Sequence, residues 1–542
     1  MIGLFLLSVD CFGQSGKIQG IIKDVKGNLL PGASVLVEGT STGTASDIRG
    51  NFLITVKPGQ YQLACSMVGY IKLSKAVSVA DGETTTIDFE LAESERVLQQ
   101  IEIIGRKEQS YKNTNSFAGS KTELSSKDLP QSISFVTKEL ISDQGHMRVG
   151  EVVKNMSGVN QFTFYDDITI RGFRINGQST TQLINGLRTS TGFWKQPLAN
   201  YLERVEVLKG PSSALFGNAS PGGVLNRVTK KPLDYNRKAL DFSFGSFNTV
   251  RALADFTGPM NKDRTLLYRL NLGYEDANSF RELQFDKNLI IAPSVSFLPS
   301  EKTQLNLDMI YNSSDSRLDR GQAIHDNNDL YSTPVSRALS SANDYLKETT
   351  YNISASLNHH FTDRFSVSLA YLKTGYTEDL FEHRSANAYA VDGDGNKIVD
   401  KVAMQVFQRT RRRYIDNLSA FLNYTANTGN IEHRLLAGYD YSQDQVPTGA
   451  SQLQAGGYRN AANTGYISAY NPSNKTRYLL DDQGNPVPNV PHFNLADPIS
   501  SQLLKDPSKY FFAQRLFDPT FYELHGMYAQ DLIRFGKLQA LV

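Results

Sequence analysis

A few clusters of residues in this chain have types and spacings that chemistry could use. Gly39-Thr40-Ser41-Thr42-Gly43 matches the G-x-S-x-G pattern of a hydrolase nucleophile. That chemistry needs a strand-to-helix elbow and a partnered histidine, because a free hydroxyl is a weak nucleophile. Here the motif falls between short β-type runs, so a turn is expected and catalysis is not. Asp392-Gly393-Asp394-Gly395-Asn396 begins like a calcium loop. Lys397 stands where glycine is needed and Ala403 where a bidentate glutamate is needed, which points to a hairpin turn in an outer loop. Arg409, Arg411, Arg412 and Arg413 form the densest basic run. Two readings stay open: pairing with inward-facing carboxylates, since buried charges need partners, or attraction of an anion. The eight histidines form no H-E-x-x-H and no C-x-x-C occurs. Neither a metal site nor an enzyme is expected.

The rest of the chain says what must position such groups. At 542 residues it exceeds one ordinary domain, so at least two are expected. A net charge of +1 and a pI near 7.7 give no dominant basic face, and no nucleic-acid partner is expected. Mean hydropathy is -0.35, and no apolar run approaches the roughly 20 residues of a spanning helix. Membrane strands stay open, because about ten alternating residues suffice for each. The 26 Tyr and 29 Phe against one Trp suit aromatic girdles. Cys11 and Cys65 are the only cysteines. An apolar start, Met1 to Val9, reads as a signal peptide over residues 1–14 that lacks its usual basic beginning. Its removal would leave Cys65 alone and no disulfide framework.

Residues 17–92 hold short β-type runs separated by turn residues, at the spacing of a small sandwich. Their wording, DVKGNLLPGASVLVEGT followed by GNF, resembles the carboxypeptidase-regulatory-like domain. The resemblance implies a transthyretin-like β-sandwich and no catalysis. Residues 201–232, YLERVEVLKGPSSALFGNASPGGVLNRVTKKP, read as strands Leu202 to Leu208 and Val224 to Thr229 around a glycine-dense elbow. In the first strand, Leu202, Val205 and Val207 alternate with charges, as beside polar space. This stretch resembles the end of the plug of TonB-dependent outer-membrane receptors, ferric-siderophore type.

That resemblance implies a mixed α/β plug over residues 113–235. Within it, Ser132 to Val136 is expected as a strand, and VGEVVKNMSGV as a short helix with Val149, Val152, Val153 and Met156 inward. The charged segment 93–112 lies where the family's TonB box lies. Ile101, Glu102, Ile103, Ile104 and Gly105 are the expected box, a peptide that adds a strand to a partner's sheet edge. The implied partner is TonB, with ExbB-ExbD.

From residue 238 the period becomes two. Leu266, Tyr268, Leu270, Leu272 and Tyr274 alternate with Arg269 and Asn271; Leu305, Leu307, Met309 and Tyr311 alternate with Asn306 and Asp308. Short turns mostly alternate with long polar loops, expected at Asp276 to Lys287, Asp315 to Thr349, Thr377 to Ala403 and Asp444 to Thr520. Such asymmetry fits the N-terminal part of a transmembrane antiparallel β-barrel over residues 238–542. Roughly ten strands are expected here, about half of the family's 22, so the chain reads as C-terminally truncated. The plug is expected to occlude a polar lumen across a hydrated interface.

The implied function is an outer-membrane receptor and TonB-energised importer of ferric siderophore in a Gram-negative bacterium. Iron enters only as the chelate, with no resident cofactor. Arg171, Gly192, Phe193 and Trp194 are the implied ligand contacts at the plug apex, and the arginine run would draw an anionic chelate inward. Import of glycan, oligopeptide or cobalamin, or a non-transporting adhesion barrel, are the alternatives.

Overall fold

The computed structural model describes residues 15–92 except 26, 39, 41, 68, 69, 71 and 72; residues 111, 116 and 121; and residues 132–542 except 164, 177–181, 191, 193, 211–218, 322–328, 330, 332 and 537. Contacts divide the chain into units 1–99 and 100–542.

The first unit contains β1 (Gly16–Asp24), β2 (Ser34–Val37), β3 (Gly43–Ala45), β4 (Asn51–Val56), β5 (Gly59–Ser66), β6 (Leu73–Val79), β7 (Thr84–Thr86) and β8 (Phe89–Leu91). One sheet runs β4-β1-β7, with β8 also on β1; the other runs β3-β2-β5-β6. Alternate residues of β1 and β4 are buried, the period-two signature of strands with one core face. Ile18, Ile22, Val35, Phe52, Ile54, Leu63, Cys65 and Phe89 form a single core, giving the expected β-sandwich. Burial pushes the Cys65 thiol up to about 11, so it packs as a small apolar group.

One turn chemistry recurs across both units. Asp24, Asp47, Asp392 and Asp481 each accept, through Oδ1, the backbone N–H four residues on, at 2.8 Å. The residue before that donor is always glycine, with φ between 73° and 86°, a conformation costly for any side chain. The calcium-like Asp392–Asn396 stretch is one of these turns, as expected.

The second unit opens with the plug. Strand β9 (Ser132–Thr137) leads into the helix Lys138–Asp143, and a shorter helix covers Val149–Val152. Val149, Val152, Val153 and Met156 are buried as expected. A small sheet of β10 (Val159–Gln161), β11 (Asp167–Ile170) and β12 (Phe173–Asn176) follows. The larger sheet combines β9 with β13 (Gln182–Ile184), β14 (Leu187–Arg188), β15 (Leu202–Lys209) and β16 (Gly223–Thr229), in the order β14-β13-β16-β15-β9.

The expectation that Leu202 to Leu208 runs beside polar space is corrected. All of β15 is buried, on both faces, as is all of β16. Its charges survive burial by pairing. Glu203 binds Lys138 at 2.8 Å, and Arg204 binds Glu206 at 2.7 Å. Arg227 of β16 meets Asp166 at 3.2 Å and also donates to Gln182.

The long sheet contains β17 (Arg237–Gly245), β18 (Thr249–Pro259), β19 (Leu266–Asn278), β20 (Phe285–Ser300), β21 (Thr303–Ser316), β22 (Tyr345–Thr362), β23 (Phe365–Val391), β24 (Lys397–Thr428) and β25 (Ile431–Val446). It continues from β25 to β31 (Thr520–Phe535) and β32 (Leu538–Leu541), every pair antiparallel. The alternation read from sequence is realised. Arg269, Asn271 and Glu275 of β19 are buried on the plug-facing side, whereas Tyr274 is exposed on the other. Asn306 and Asp308 of β21 face the plug while Leu307 and Met309 face out. An apolar outer face with a polar inner face is the pattern of strands that border lipid.

Two further expectations change. Thr377 to Ala403 is not a loop: β23 and β24 extend through it to the turn at 392–396, over 27 and 32 residues. Continuous backbone pairing carries this extension, so polar side chains do not interrupt it. The segment Asp444 to Thr520 is also folded, with β26 (Ser451–Ala455), β27 (Tyr458–Arg459), β28 (Tyr466–Ile467), β29 (Phe493–Asn494) and β30 (Ala513–Leu516). Strands β26 and β29 pair with β24, and Phe381, Val402, Val406, Val490, Phe493 and Tyr510 share a core above that edge.

The plug–wall interface is not simply hydrated and polar. Ile290, Ala292, Ile310 and Leu372 of the wall belong to the same core as the plug's Val152, Ile170 and Val205. Apolar burial therefore joins the two bodies.

Candidate functional site

The segment between β14 and β15 carries Gly192 and Trp194, and it is fastened from both sides. Gln196 accepts from the Gly150 N–H and donates to the Tyr165 carbonyl, both at 2.7 Å. Thr189 donates to Asn352 of the wall at 2.9 Å. Asn200 donates to the Leu272 carbonyl at 2.9 Å.

Trp194 is 8 % exposed and packs with Leu318, Leu346 and Leu380. Tyr165 meets its indole edge-on at 5.1 Å between centroids. The indole N–H donates to Glu378 Oε2 of β23 at 3.0 Å. Guanidiniums of Arg320 and Arg409 lie 4.5 and 5.3 Å from the ring centroid, within cation–π range. Gly192 has a φ of 83°. A Cβ there would lie 2.7 Å from the Tyr376 ring and 3.0 Å from Glu348 Oε1, so wall and plug are in close approach.

Around these two residues the wall is acidic and arginine-rich. Tyr376 Oη lies 2.6 Å from Glu348 Oε1 and 2.9 Å from Glu378 Oε2. Arg409 binds Glu378 Oε1 at 2.5 Å, and Arg320 binds Glu382 at 2.5 Å. Burial works against the Arg320 charge, yet the Glu382 carboxylate outweighs it and holds the guanidinium above its ordinary value. Burial pushes the Tyr165 phenol up to about 12, so it stays neutral. Its hydroxyl donates to the Asp319 carbonyl at 2.6 Å.

The sequence-named residues separate. Gly192 and Trp194 meet at the Glu348–Tyr376–Glu378 cluster. Arg171 is exposed in the β11–β12 turn, with a φ of 50°. It lies beside Gly158, whose carbonyl accepts its backbone N–H at 2.8 Å, and near Gly210. Phe193 and the expected box, Ile101 to Gly105, lie outside the described residues. In the arginine run, Arg409 and Arg413 pair with Glu378 and Asp444, Arg411 stacks on Phe517, and Arg412 is exposed.

Sequence reasoning did not single out Glu348, Tyr376, Glu378 or Arg320. The available signal was acidic residues at inward positions of alternating strands. Among the described residues no group of three His, Cys, Asp or Glu side chains is arranged to hold a metal ion.

Residues 125–224 match the family model described as the TonB-dependent Receptor Plug Domain. That stretch therefore has the character of a TonB-dependent receptor plug domain. Residues 18–103 match the CarboxypepD_reg-like domain, so the sandwich precedes the plug as in the sequence reading. The chain is 28 % identical over 339 residues to a metal-pseudopaline receptor of Pseudomonas aeruginosa, across 62 % of this chain and 46 % of that one. It is 27 % identical over 352 residues to a ferrichrome outer membrane transporter and phage receptor of Escherichia coli, across 60 % and 47 %. It thus spans about half the length of these curated relatives. Among solved structures, the closed form of the ferric-catecholate import receptor Fiu of Escherichia coli aligns with a TM-score of 0.61 at 18 % identity, over 79 % of this chain and 57 % of that one. The pyoverdine receptor FpvA of Pseudomonas aeruginosa aligns with a TM-score of 0.60 at 18 % identity, over 83 % and 63 %. At such identities these two likenesses are of fold.

Proposed function

We propose that this receptor binds a ferric siderophore at the cell surface and imports it across the outer membrane of a Gram-negative bacterium, energised by TonB with ExbB-ExbD. The observation that carries the reading is the seating of the plug on the inner face of the long sheet. Trp194, Thr189 and Asn200 hold it there by hydrogen bonds to the wall. Such a plug closes a polar passage, so import needs work done on the plug. We assign that work to TonB, the partner that the family resemblance implies. The box residues Ile101 to Gly105 are where TonB would pair by strand addition. Curated relatives named for ferrichrome, pseudopaline and ferrioxamine support an iron or metal chelate as cargo. Iron is then substrate, carried inside the chelate.

The test is radio-iron uptake from ferric chelates by cells with and without the full-length gene, in backgrounds with and without functional TonB. Uptake that requires both supports the proposal. Equal uptake in the gene deletion, across chelates that the parent strain uses, would reject it.

A further inference from the structure

We infer that the vestibule beside Trp194 is built for a ferric chelate of net negative charge, and not for an uncharged one. The inference rests on the receptor reading above and names its substrate class. Its first support is register. Pairing sets Arg409, Gln452 and Arg515 in one row across β24, β26 and β30. Residues in one row project from the same face, and Arg411 follows on that face two residues along β24. Arg320 joins them through the Trp194 ring that it shares with Arg409.

The second support is how the local carboxylates are used. Glu382 takes both Arg320 and Arg384. Glu378 stands directly opposite Arg411 in the β23–β24 ladder. Its oxygens are already engaged: Oε1 by Arg409, and Oε2 by the Trp194 N–H and the Tyr376 hydroxyl. Asp444 is taken by Arg413. Arg411 and Arg515 instead meet the Phe517 ring, at 4.8 and 5.6 Å. Among the described residues neither makes an ion pair.

The third support is a pair of stranded donors. Arg384 Nε and Arg409 Nη2 are buried and, among the described residues, have no hydrogen-bond acceptor. Buried N–H groups on charged side chains are nearly always satisfied, so these two donors are open to an acceptor that arrives from outside. Anionic oxygens would satisfy them with charge-assisted bonds. An uncharged chelate would leave the surplus guanidiniums desolvated and uncompensated.

The experiment uses the full-length receptor in outer membranes, with two probes: a trianionic ferric tris-catecholate and an uncharged ferric trihydroxamate. Binding is compared at low and high salt for the parent, Arg411→Gln with Arg515→Gln, and Arg411→Lys with Arg515→Lys. The expected result is preferential binding of the trianion, weakened by salt. The double Gln variant should lose about ten-fold or more in affinity, while the Lys variant keeps most of it, since charge drives the attraction. Correct folding of each variant is checked by heat-modifiable migration. Tighter binding of the neutral chelate, or equal affinity in folded Gln and parent proteins, would overturn the charge class and leave the receptor reading standing. Binding of neither probe, with no uptake of any ferric chelate, would overturn both.

Discussion

Trp194 of the plug and Glu378 of the wall are joined by a 3.0 Å hydrogen bond from the indole N–H to Oε2. The same carboxylate holds Arg409 and Tyr376, so one wall residue ties the plug to the arginine-rich vestibule. Any movement of the segment around Gly192 is felt at Glu378, and the reverse.

Trp194→Phe keeps a ring beside Arg320 and Arg409 but removes the N–H. The loss should cost plug seating about 1–3 kcal/mol, the usual cost of depriving a buried carboxylate of a donor. Trp194→Ala also opens a cavity and should cost about 3–5 kcal/mol. Protease susceptibility of the plug in the full receptor should rise in that order. Chelate affinity should fall by about 1–3 kcal/mol in Trp194→Ala if the indole also serves as an anchor. Unchanged affinity in a folded variant would place the ligand on the outer loops alone.

Lys231 and Asp308 form an ion pair at 2.6 Å, with side chains 2 and 8 % exposed. The pair fixes the chain leaving the plug to strand β21. Lys231→Met should destabilise the protein by about 3–5 kcal/mol, because it abandons a buried carboxylate. Lys231→Met with Asp308→Leu should recover most of the loss. A thermal midpoint in the single variant equal to that of the parent would contradict the pairing.

His492 lies in the folded segment between β25 and β31, and burial holds its pKa down at about 4. The neutral ring is the form that fits, while unfolding restores a value near 6.5. Its contribution is therefore complete above about pH 6.5 and is lost as pH falls toward 4. The segment should loosen by about 1–3 kcal/mol over that window, allowing for partial solvent screening. Hydrogen exchange around Val490 and Phe493 at pH 7.5 and 5 reads this directly, and His492→Phe should flatten the difference.

Ile103→Pro removes a backbone donor from the expected box and blocks strand addition. Chelate uptake by the full receptor should collapse while surface binding persists. Normal uptake in this variant would move the box elsewhere.

Much of the fold was legible because lipid and core impose strict periods. The β19 and β21 alternations and the buried face of Val149, Val152, Val153 and Met156 needed nothing beyond spacing. The β23–β24 extension was misread as a loop, since its paired backbone does not require apolar side chains. Burial of β15 was missed because Glu203 is satisfied by a distant partner, Lys138, that spacing cannot reveal. The candidate site was half legible for the same reason. Trp194 was visible as the only tryptophan, but Glu348, Tyr376 and Glu378 become a cluster only when β22 and β23 lie side by side.

Among the described residues, strand β9 occupies the margin of the plug's larger sheet and pairs with β15 alone. Detaching it breaks one ladder, whereas removing β15 or β16 breaks two. Tension entering the chain upstream of Ser132 thus meets a seam of a single ladder first. The plug can surrender its outermost strand while the other four stay laddered, like a door that gives way at the hinge pin and leaves its panels joined.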